Sequence, residues 1–556
     1  MEKKWWQDKI CYQIYPKSFM DSNGDGIGDL RGILGKMDYL KDLGIDVIWL
    51  SPVYKSPFLD QGYDISDYYA IAEEFGTMED FDNLLAAAKE RDMHIIMDLV
   101  INHCSSEHEW FKEAIKNPDG EYGRYFYFRK GVDGKEPSNI RSYFGGNAWE
   151  LVPGTEDLYY LHMYTAGQPD LNWYNPEVLD KLYEMVNFWL EKGISGFRID
   201  AIMDIDKDIS FPSYYEPDSV DGLRFCKILT EGVGDFKDKF SALKKATFDK
   251  YDAFTVGECF GVADSDMKDF VGDEGLFSTV FDFETHSLIF RGSCWSDVPE
   301  ITFDEWKNAI FHGQHLTEPY GLRATVIENH DEPRGASRYL PEFARNDLGK
   351  KALATIHLML RGIPFIYQGQ EIGMENMPFS SIEEYNDPNT HMEYEKALAL
   401  GFSEKEALDG CLRFSRDNAR TPMQWSDEVN AGFSSGNPWL PVNPNYKEIN
   451  VSAQENNPDS VLCYYKKLIA LRKAYSDVLT YGRVEEAYDD IDNLIAFYRI
   501  LDDKKVLILS NISMDEAKID LGESKATVLL GNIRRAGEIV DSIFKLAPLE
   551  ALVLKM

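Results

Sequence analysis

Eight short apolar runs, most of them separated by helical patterns, are the feature that most constrains the fold. They lie at residues 10–15, 46–52, 94–100, 196–202, 254–259, 278–283, 324–331 and 364–370. Apolar runs of this length are typical of strands that are buried on both faces. Strands that alternate with helices pair in parallel, and eight of them close into a barrel. We therefore predict an α/β protein built on a (β/α)8 TIM barrel.

Two stretches interrupt this alternation, and the pattern changes near the carboxyl end. Residues 105–171 are rich in Gly, Pro, Asn and aromatics without a regular period, which indicates an inserted subdomain B after the third strand. An irregular extension at about 373–460 follows the eighth strand. From about residue 480, short alternating runs between turns indicate an antiparallel β-sandwich. The predicted units are barrel parts 1–104 and 172–479, the subdomain 105–171 and a C-terminal domain 480–556.

Several predicted strands end on acidic residues. Arg198 and Asp200 stand two positions apart in the fourth run, and side chains two apart on a strand point to the same side. Glu258 ends the fifth run and Asp331 ends the seventh. In a (β/α)8 barrel the chemistry takes place at the carboxyl ends of the strands, so we expect these carboxylates to meet there. Taken alone, Arg198 and Asp200 are more typical of a structural ion pair than of a catalytic site.

Composition narrows the class of ligand and the cellular location. The formal charge of the 556-residue chain is −37, which opposes binding to nucleic acid or to anionic membranes. A neutral partner is easier to accommodate. The seven cysteines form no CxxC pair, and neither a signal core nor an 18-residue apolar run is present. We expect a cytoplasmic monomer with no organic cofactor, no nucleic-acid partner and no membrane partner.

A loop after the first strand presents oxygen-bearing side chains at alternate positions. The spacing matches the first nine positions of an EF-hand loop, and the candidate ligands are Asp21, Asn23, Asp25, the Ile27 carbonyl and Asp29. Gly32 occupies the twelfth position, where an EF-hand has glutamate. The alternative is an Asp/Asn/Gly turn stabilised by its own side chains. We expect a structural Ca²⁺ or Mg²⁺ here.

Paired carboxylates without a serine elbow or a phosphate loop indicate glycoside chemistry. One acid protonates the leaving oxygen while a carboxylate attacks the anomeric carbon. A third carboxylate stabilises positive charge as it develops on the sugar ring.

The chain resembles the α-amylase family of glycoside hydrolases, whose signature blocks it carries in order. The similar runs are residues 98–103, 168–173, 196–200, 256–258, 328–331 and 369–374. The blocks 21–29, 168–173 and 420–425 resemble most closely the oligo-1,6-glucosidase and α-glucosidase branch. This resemblance implies an exo-acting, retaining α-glucosidase that releases glucose from the non-reducing end of short isomalto- and malto-oligosaccharides.

The resemblance also implies roles for individual residues. Asp200 would be the nucleophile, Glu258 the general acid/base and Asp331 the transition-state stabiliser. The sugar-binding residues would be Asp60, Tyr63, His103, Tyr164, Arg198, Ala201, His330 and Arg416. Without these blocks, the two histidines are more typical of hydrogen-bonded core residues, and the two tyrosines of packing residues in the inserted subdomain.

The chain departs from the family pattern at two positions beside the proposed site. Ala201 stands where members that prefer α-1,6 bonds usually carry valine and members that prefer α-1,4 bonds carry a smaller residue or threonine. Glu332 replaces a common glutamine, which adds a charge that should disfavour anionic substrates.

Three alternatives stay open at this stage. Sucrose or isomaltulose hydrolysis and trehalose-6-phosphate hydrolysis belong to the same branch, and residues 291–323 lack the Arg-Leu-Asp-Arg-Asp run of sucrose isomerases. A non-catalytic barrel subunit of a transporter complex is the alternative from another class. Such subunits lose the acidic trio, which this chain keeps.

Overall fold

The computed structural model describes residues 3–219, 221–272 and 274–556. Its central element is a parallel sheet of eight strands in the order β6-β5-β4-β3-β2-β1-β8-β7. Phe281, just after β6, pairs with Ala324 of β7 and closes the ring. The strands are β1 Cys11–Ile14, β2 Val47–Leu50, β3 His94–Val100, β4 Gly196–Asp200, β5 Phe254–Gly257, β6 Thr279–Val280, β7 Ala324–Thr325 and β8 Ile363–Tyr367. The predicted (β/α)8 barrel is confirmed.

Each barrel strand is followed by a helix that packs on the outside of the ring. The helices are α1 Met37–Leu43, α2 Met78–Glu90, α3 Pro176–Lys192, α4 Phe236–Ala246, α5 Met267–Phe270, α6 Phe303–Thr317, α7 Asp347–Met359 and α8 Val461–Ala474. Local sequence sets their ends: Asn175 caps the start of α3, Pro176 occupies its first turn, and Gly193 ends it in a left-handed conformation with φ 113°.

Two apolar layers hold the barrel together. Inside the ring, Trp49, Phe254 and Phe365 belong to one buried cluster. Between the strands and the helices, a much larger cluster buries one face of each helix. The strands are therefore buried on both faces, which is why they read as continuous apolar runs and not as alternating ones.

The segment between β3 and α3 forms a separate small structure. It contains the helix Glu109–Lys116 and a three-stranded antiparallel sheet of Phe128–Lys130, Leu158–Leu161 and Trp149–Leu151. After β8, the extension contains the helices Pro388–Ala399, Glu404–Phe414 and Asp417–Arg420. The exact domain boundaries stay a prediction.

The carboxyl-terminal part is an antiparallel sandwich. Its strands are β9 Arg483–Glu486, β10 Leu494–Leu501, β11 Lys504–Asn511, β12 Ala517–Asp520, β13 Ala526–Gly531, β14 Ile539–Val540, β15 Ile543–Leu546 and β16 Ala551–Lys555. Six of them form one sheet, in the order β9-β10-β11-β16-β13-β14, and β12 pairs with β15. Apolar residues of both sheets form one buried cluster, as the sequence predicts.

Among the described residues, no helix is long and apolar enough to cross a membrane.

Candidate active site

Three acidic residues from three different strand ends line one cavity at the carboxyl mouth of the barrel. Asp200 is the last residue of β4, Glu258 follows β5 directly, and Asp331 lies on the loop after β7. The cavity has a volume of about 870 Å³. The other predicted site residues on its wall are Asp60, Tyr63, His103, Tyr164, Ala201 and Arg416. Arg198 and His330, at 1% and 0% exposure, are buried behind this wall.

Arg198, buried behind the cavity wall, connects three carboxyl groups. Its Nη1 lies 2.7 Å from Asp98 Oδ1 and 2.6 Å from Asp200 Oδ1, and its Nη2 lies 2.6 Å from Glu258 Oε1. One buried guanidinium therefore serves three carboxyl groups, and the indole Nε1 of Trp49 also donates to Asp98 at 2.8 Å. If all three carboxyl groups were ionised, the cluster would carry two uncompensated negative charges.

Burial and neighbouring carboxylates shift the titration of the two central acids. Burial raises the pKa of Asp200 to about 7 and that of Glu258 to about 7, while Arg198 lowers both. Asp98 and Asp331 further raise the pKa of Asp200, and Asp200 and Asp331 further raise that of Glu258. With pKa values of about 7, the two groups together hold about one proton near neutral pH, which is what one acid and one nucleophile require.

Asp331 has the opposite environment. Its Oδ1 lies 2.8 Å from Arg420 Nη2 and 3.1 Å from Arg416 Nη1, and its Oδ2 lies 3.0 Å from His330 Nε2. Burial alone would raise the pKa of Asp331, but His330 and the two arginines outweigh it and hold this pKa well below its usual range. Asp331 is therefore a permanently charged carboxylate.

The hydrogen bonds of His330 assign its proton. Burial lowers the pKa of His330 to about 4, so the ring is neutral. Its Nδ1 accepts from the Gln13 amide at 2.8 Å, which leaves the proton on Nε2, the atom that faces Asp331 and the Tyr63 hydroxyl. This imidazole therefore holds Tyr63 and Asp331 in place from behind the cavity wall.

One end of the cavity is closed by ion pairs between loops far apart in sequence. Asp60, on the loop after β2, lies 3.5 Å from Arg416 Nη2, on the extension after β8. Arg416 is also held by Asp387 through its Nε, at 3.0 Å, and its Nη2. Gln168 Nε2 lies 3.1 Å from both Asp60 Oδ2 and His103 Nε2. Arg416, the arginine that the resemblance implies for sugar binding, lines the cavity, whereas Arg420 is buried beneath Asp331.

Several residues of the site were not found by sequence reasoning. Asp387 precedes Pro388 and caps a helix, so its pattern predicts a cap and not an arginine partner. Lys207 is fully buried between Asp170, at 3.2 Å, and the Asn102 Oδ1, at 2.7 Å, and it ties the inserted segment to the barrel. These partners lie 37 and 105 positions away in sequence, so no local signal shows them.

Glu332 does not add the charge that the sequence predicts. It lines the cavity, but its carboxylate is paired with Arg338 and contacts His286. Because Arg338 neutralises it, Glu332 adds no free negative charge to the entrance.

The predicted cation loop is held by its own side chains. Asp21 accepts backbone N–H groups of Gly24 at 2.7 Å, Gly26 at 2.8 Å and Asn23 at 2.9 Å. Asp29 caps the helix Leu30–Leu34. In the part of the chain that the structure describes, three or more His, Cys, Asp or Glu residues nowhere converge as a metal site would require. Asn23 and Ile27 would contribute an amide and a carbonyl oxygen, and the cation stays a prediction.

A barrel whose strand ends gather three carboxylates around one cavity is the arrangement of a glycoside hydrolase. Residues 13–482 match the model of the alpha amylase catalytic domain, and the chain belongs to the alpha-amylase family.

Relatives of two kinds are similar over nearly the whole chain. The oligo-1,6-glucosidase of Bacillus cereus is 44% identical over 100% of both chains. The trehalose-6-phosphate hydrolase of Bacillus subtilis (strain 168) is 40% identical over 95% of this chain and 94% of its own. Among solved structures, the trehalulose synthase of Pseudomonas mesoacidophila MX-45 superposes with a TM-score of 0.93, at 37% identity and full coverage of both chains. The predicted family is confirmed.

The raised pKa of Glu258 predicts a pH-dependent cost in stability. With a folded-state pKa of about 7 against an ordinary 4.5, the stabilising contribution of this carboxyl is complete below pH 4.5 and is lost as pH rises through 7. The free energy of unfolding of the wild type, relative to that of Glu258→Gln, should therefore fall by about 2 kcal/mol between pH 5 and pH 8. Denaturant unfolding of both proteins at the two pH values measures this.

Glu305→Gln is the control for that experiment. Hydrogen bonds from the Thr302 backbone and from Arg291 hold the pKa of Glu305 at about 2, so its contribution is complete at both pH values. Its stability difference from wild type should not change between pH 5 and pH 8. An unchanged difference for Glu258→Gln as well would contradict the assigned environment of Glu258.

Proposed function

We propose that this protein is an exo-acting, retaining α-glucosidase that releases glucose from the non-reducing end of short α-glucosides. The observation that carries the proposal is the cluster in which Arg198 binds both Asp200 and Glu258, beside the permanently charged Asp331. The oligo-1,6-glucosidase relatives support the same reaction.

In the proposed first step, an Asp200 carboxylate oxygen forms a bond to the anomeric carbon. The bond from that carbon to the glycosidic oxygen breaks, and the proton of Glu258 goes to the leaving oxygen. In the second step, water attacks the anomeric carbon, gives its proton to Glu258 and releases Asp200. Asp331 stabilises the positive charge that develops on the ring in both steps. The single proton shared by the pair matches this exchange of roles.

The closed end of the cavity supports exo action. The Asp60–Arg416 ion pair, braced by Asp387, stands where a sugar beyond the non-reducing glucose would have to pass. We propose that Asp60, Tyr63, His103 and Arg416 bind this glucose, and that Arg198 and His330 orient the groups that touch it.

Two substitutions separate the proposed acid from the proposed nucleophile. Glu258→Gln should lower kcat for isomaltose by about 10²–10⁴-fold, because the leaving alkoxide is not protonated. Its effect on an aryl α-glucoside with an acidic phenol should be much smaller, since that leaving group departs without a proton. Asp200→Asn should abolish both reactions. Steady-state kinetics on the two substrates measures this, and full activity of Asp200→Asn would exclude the assignment.

Linkage preference depends on the space beside Asp200. Ala201 lines the cavity in a left-handed conformation with φ 43°, and its small side chain leaves room next to the leaving sugar. We therefore propose broad action on isomaltose-type and maltose-type substrates. Sucrose and isomaltulose hydrolysis and trehalose-6-phosphate hydrolysis are the alternatives. Intact acids in the cavity argue against the non-catalytic subunit.

Ala201→Val should narrow this preference. The branched side chain fills the space beside the leaving sugar, and one or two methyl groups in such a pocket change selectivity by about 10-fold or more. The ratio of kcat/KM for isomaltose to that for maltose should rise by about this factor.

Ala201→Gly is the matched control, because it keeps the backbone conformation and the open space, so its ratio should stay near that of wild type. Wild-type rates on isomaltose, maltose, sucrose and trehalose 6-phosphate complete the test. A large preference for the phosphorylated sugar would overturn the proposed function.

We also propose a structural Ca²⁺ or Mg²⁺ in the 21–29 loop. Carboxylate, amide and carbonyl oxygens suit a hard cation, and the loop docks on Ser434 of the extension after β8. Adding CaCl₂ after EDTA treatment should raise Tm in wild type, while Asp25→Ala should remove this response. Equal Tm values with EDTA and with CaCl₂ or MgCl₂ would mean that the loop binds no structural cation and is a turn stabilised by its own side chains.

A cytoplasmic monomer that acts on neutral oligosaccharides is the proposed biological form. All seven cysteines are unpaired, as a reducing compartment requires. Light scattering of the purified protein tests the monomeric state.

A further inference from the structure

An ion pair on the cavity wall has no role in the mechanism derived above. Asp204, four residues after Asp200, lies with its Oδ1 3.3 Å from Lys227 Nζ. Both residues line the same cavity as the three carboxylates. The side chain of Asp204 is 4% exposed and that of Lys227 is 29% exposed, so the ammonium group is the more open of the two.

Two stacked tyrosines of the inserted segment fix the position of Asp204. The rings of Tyr143 and Tyr164 are 4.8 Å apart and nearly parallel. The Tyr164 hydroxyl donates to Asp204 Oδ2 at 2.9 Å, and the Tyr143 hydroxyl donates to Oδ1 at 3.3 Å. Tyr164 also packs on His103. The carboxylate is therefore preorganised before any sugar arrives.

Lys227 retains donors that the protein does not use. Its ammonium group has three N–H donors. Among the described residues, its only hydrogen-bond or ion-pair partner is Asp204. The remaining donors are available to a ligand in the cavity.

The pair is connected to the proposed proton donor through Ala201. The Asp204 backbone N–H donates to the Ala201 carbonyl at 3.0 Å, and the Ala201 N–H donates to Glu258 Oε2 at 2.9 Å. Because Glu258 is the proposed proton donor to the leaving oxygen, the leaving sugar departs next to this pair. Asp60 and Arg416, the proposed ligands of the released glucose, lie on other loops, after β2 and after β8.

We propose that Asp204 and Lys227 form a binding site for the leaving sugar, in which one hydroxyl donates to the carboxylate and a neighbouring hydroxyl accepts from the ammonium group. An anion and a cation 3.3 Å apart match the two adjacent hydroxyls of a pyranose ring. This inference rests on the proposed function and adds the group that selects the second sugar.

The same pair discriminates by charge. A hydroxyl-bearing, neutral leaving sugar satisfies both members. A phosphorylated leaving sugar gains Lys227 but is repelled by Asp204, so the pair as a whole favours neutral substrates. Removing only the carboxylate should therefore leave a free ammonium group and reverse this selection.

The test compares leaving groups in one set of variants. For Lys227→Met and Asp204→Asn, kcat/KM on isomaltose should fall about 10-fold or more. The fall on p-nitrophenyl α-glucoside, whose leaving group has no sugar hydroxyls, should be at least fivefold smaller. For Asp204→Asn, the ratio of kcat/KM for trehalose 6-phosphate to that for isomaltose should rise at least tenfold, whereas Lys227→Met should lower it.

Lys239→Met is the matched control. Lys239 pairs with Asp206, two residues beyond Asp204, and neither residue lines the cavity. This variant should change Tm without changing any ratio between substrates. Lys227→Arg keeps the charge and should recover most of the isomaltose activity.

Two results would overturn the inference. Equal losses on isomaltose and on the aryl glucoside would mean that the pair only supports the fold, and an unchanged phosphate ratio in Asp204→Asn would mean that it does not select charge. If the proposed function itself were wrong, the wild type would not hydrolyse isomaltose, so the two failures can be told apart.

Discussion

The structure depends on one buried cation, the guanidinium of Arg198, which holds carboxyl groups from three neighbouring strands. Burial of a charge costs several kcal/mol unless partners compensate it, and here the partners outnumber the cation. Burial, together with the excess negative charge, keeps about one proton on Asp200 and Glu258 near neutral pH. A proton-donating acid and a nucleophile thus coexist because the two carboxyl groups are buried with too little positive charge to ionise both.

Barrel geometry makes this contact possible. In the parallel register, Arg198 of β4 lies opposite Asp98 of β3 and Val256 of β5, two residues before Glu258. A shift of one residue in either pairing would move these side chains to the other face of the sheet. The apolar layers inside and outside the ring fix the register, so the core determines the electrostatics of the site.

Loops from distant parts of the chain complete the cavity wall. Asp60 and Arg416 join the loop after β2 to the extension after β8. Tyr143 and Tyr164 of the inserted segment donate to Asp204, which pairs with Lys227 in the region after β4. The strand ends supply the chemistry, whereas the loops decide how many sugars fit and which ones.

The sequence by itself determined the eight strands, their order of appearance and the acids at their ends, because buried parallel strands read as apolar runs and Asp200 and Glu258 end two of them. It did not determine the partners of those acids. No local pattern shows the partners of Asp387, Lys207 and Asp204, which lie 23 to 105 positions away in sequence. The charge of Glu332 was misjudged although Arg338 lies only six positions away, because the folded path of this short segment decides whether the two side chains meet. Charge depends on three-dimensional distance, and that distance was decided by tertiary structure alone.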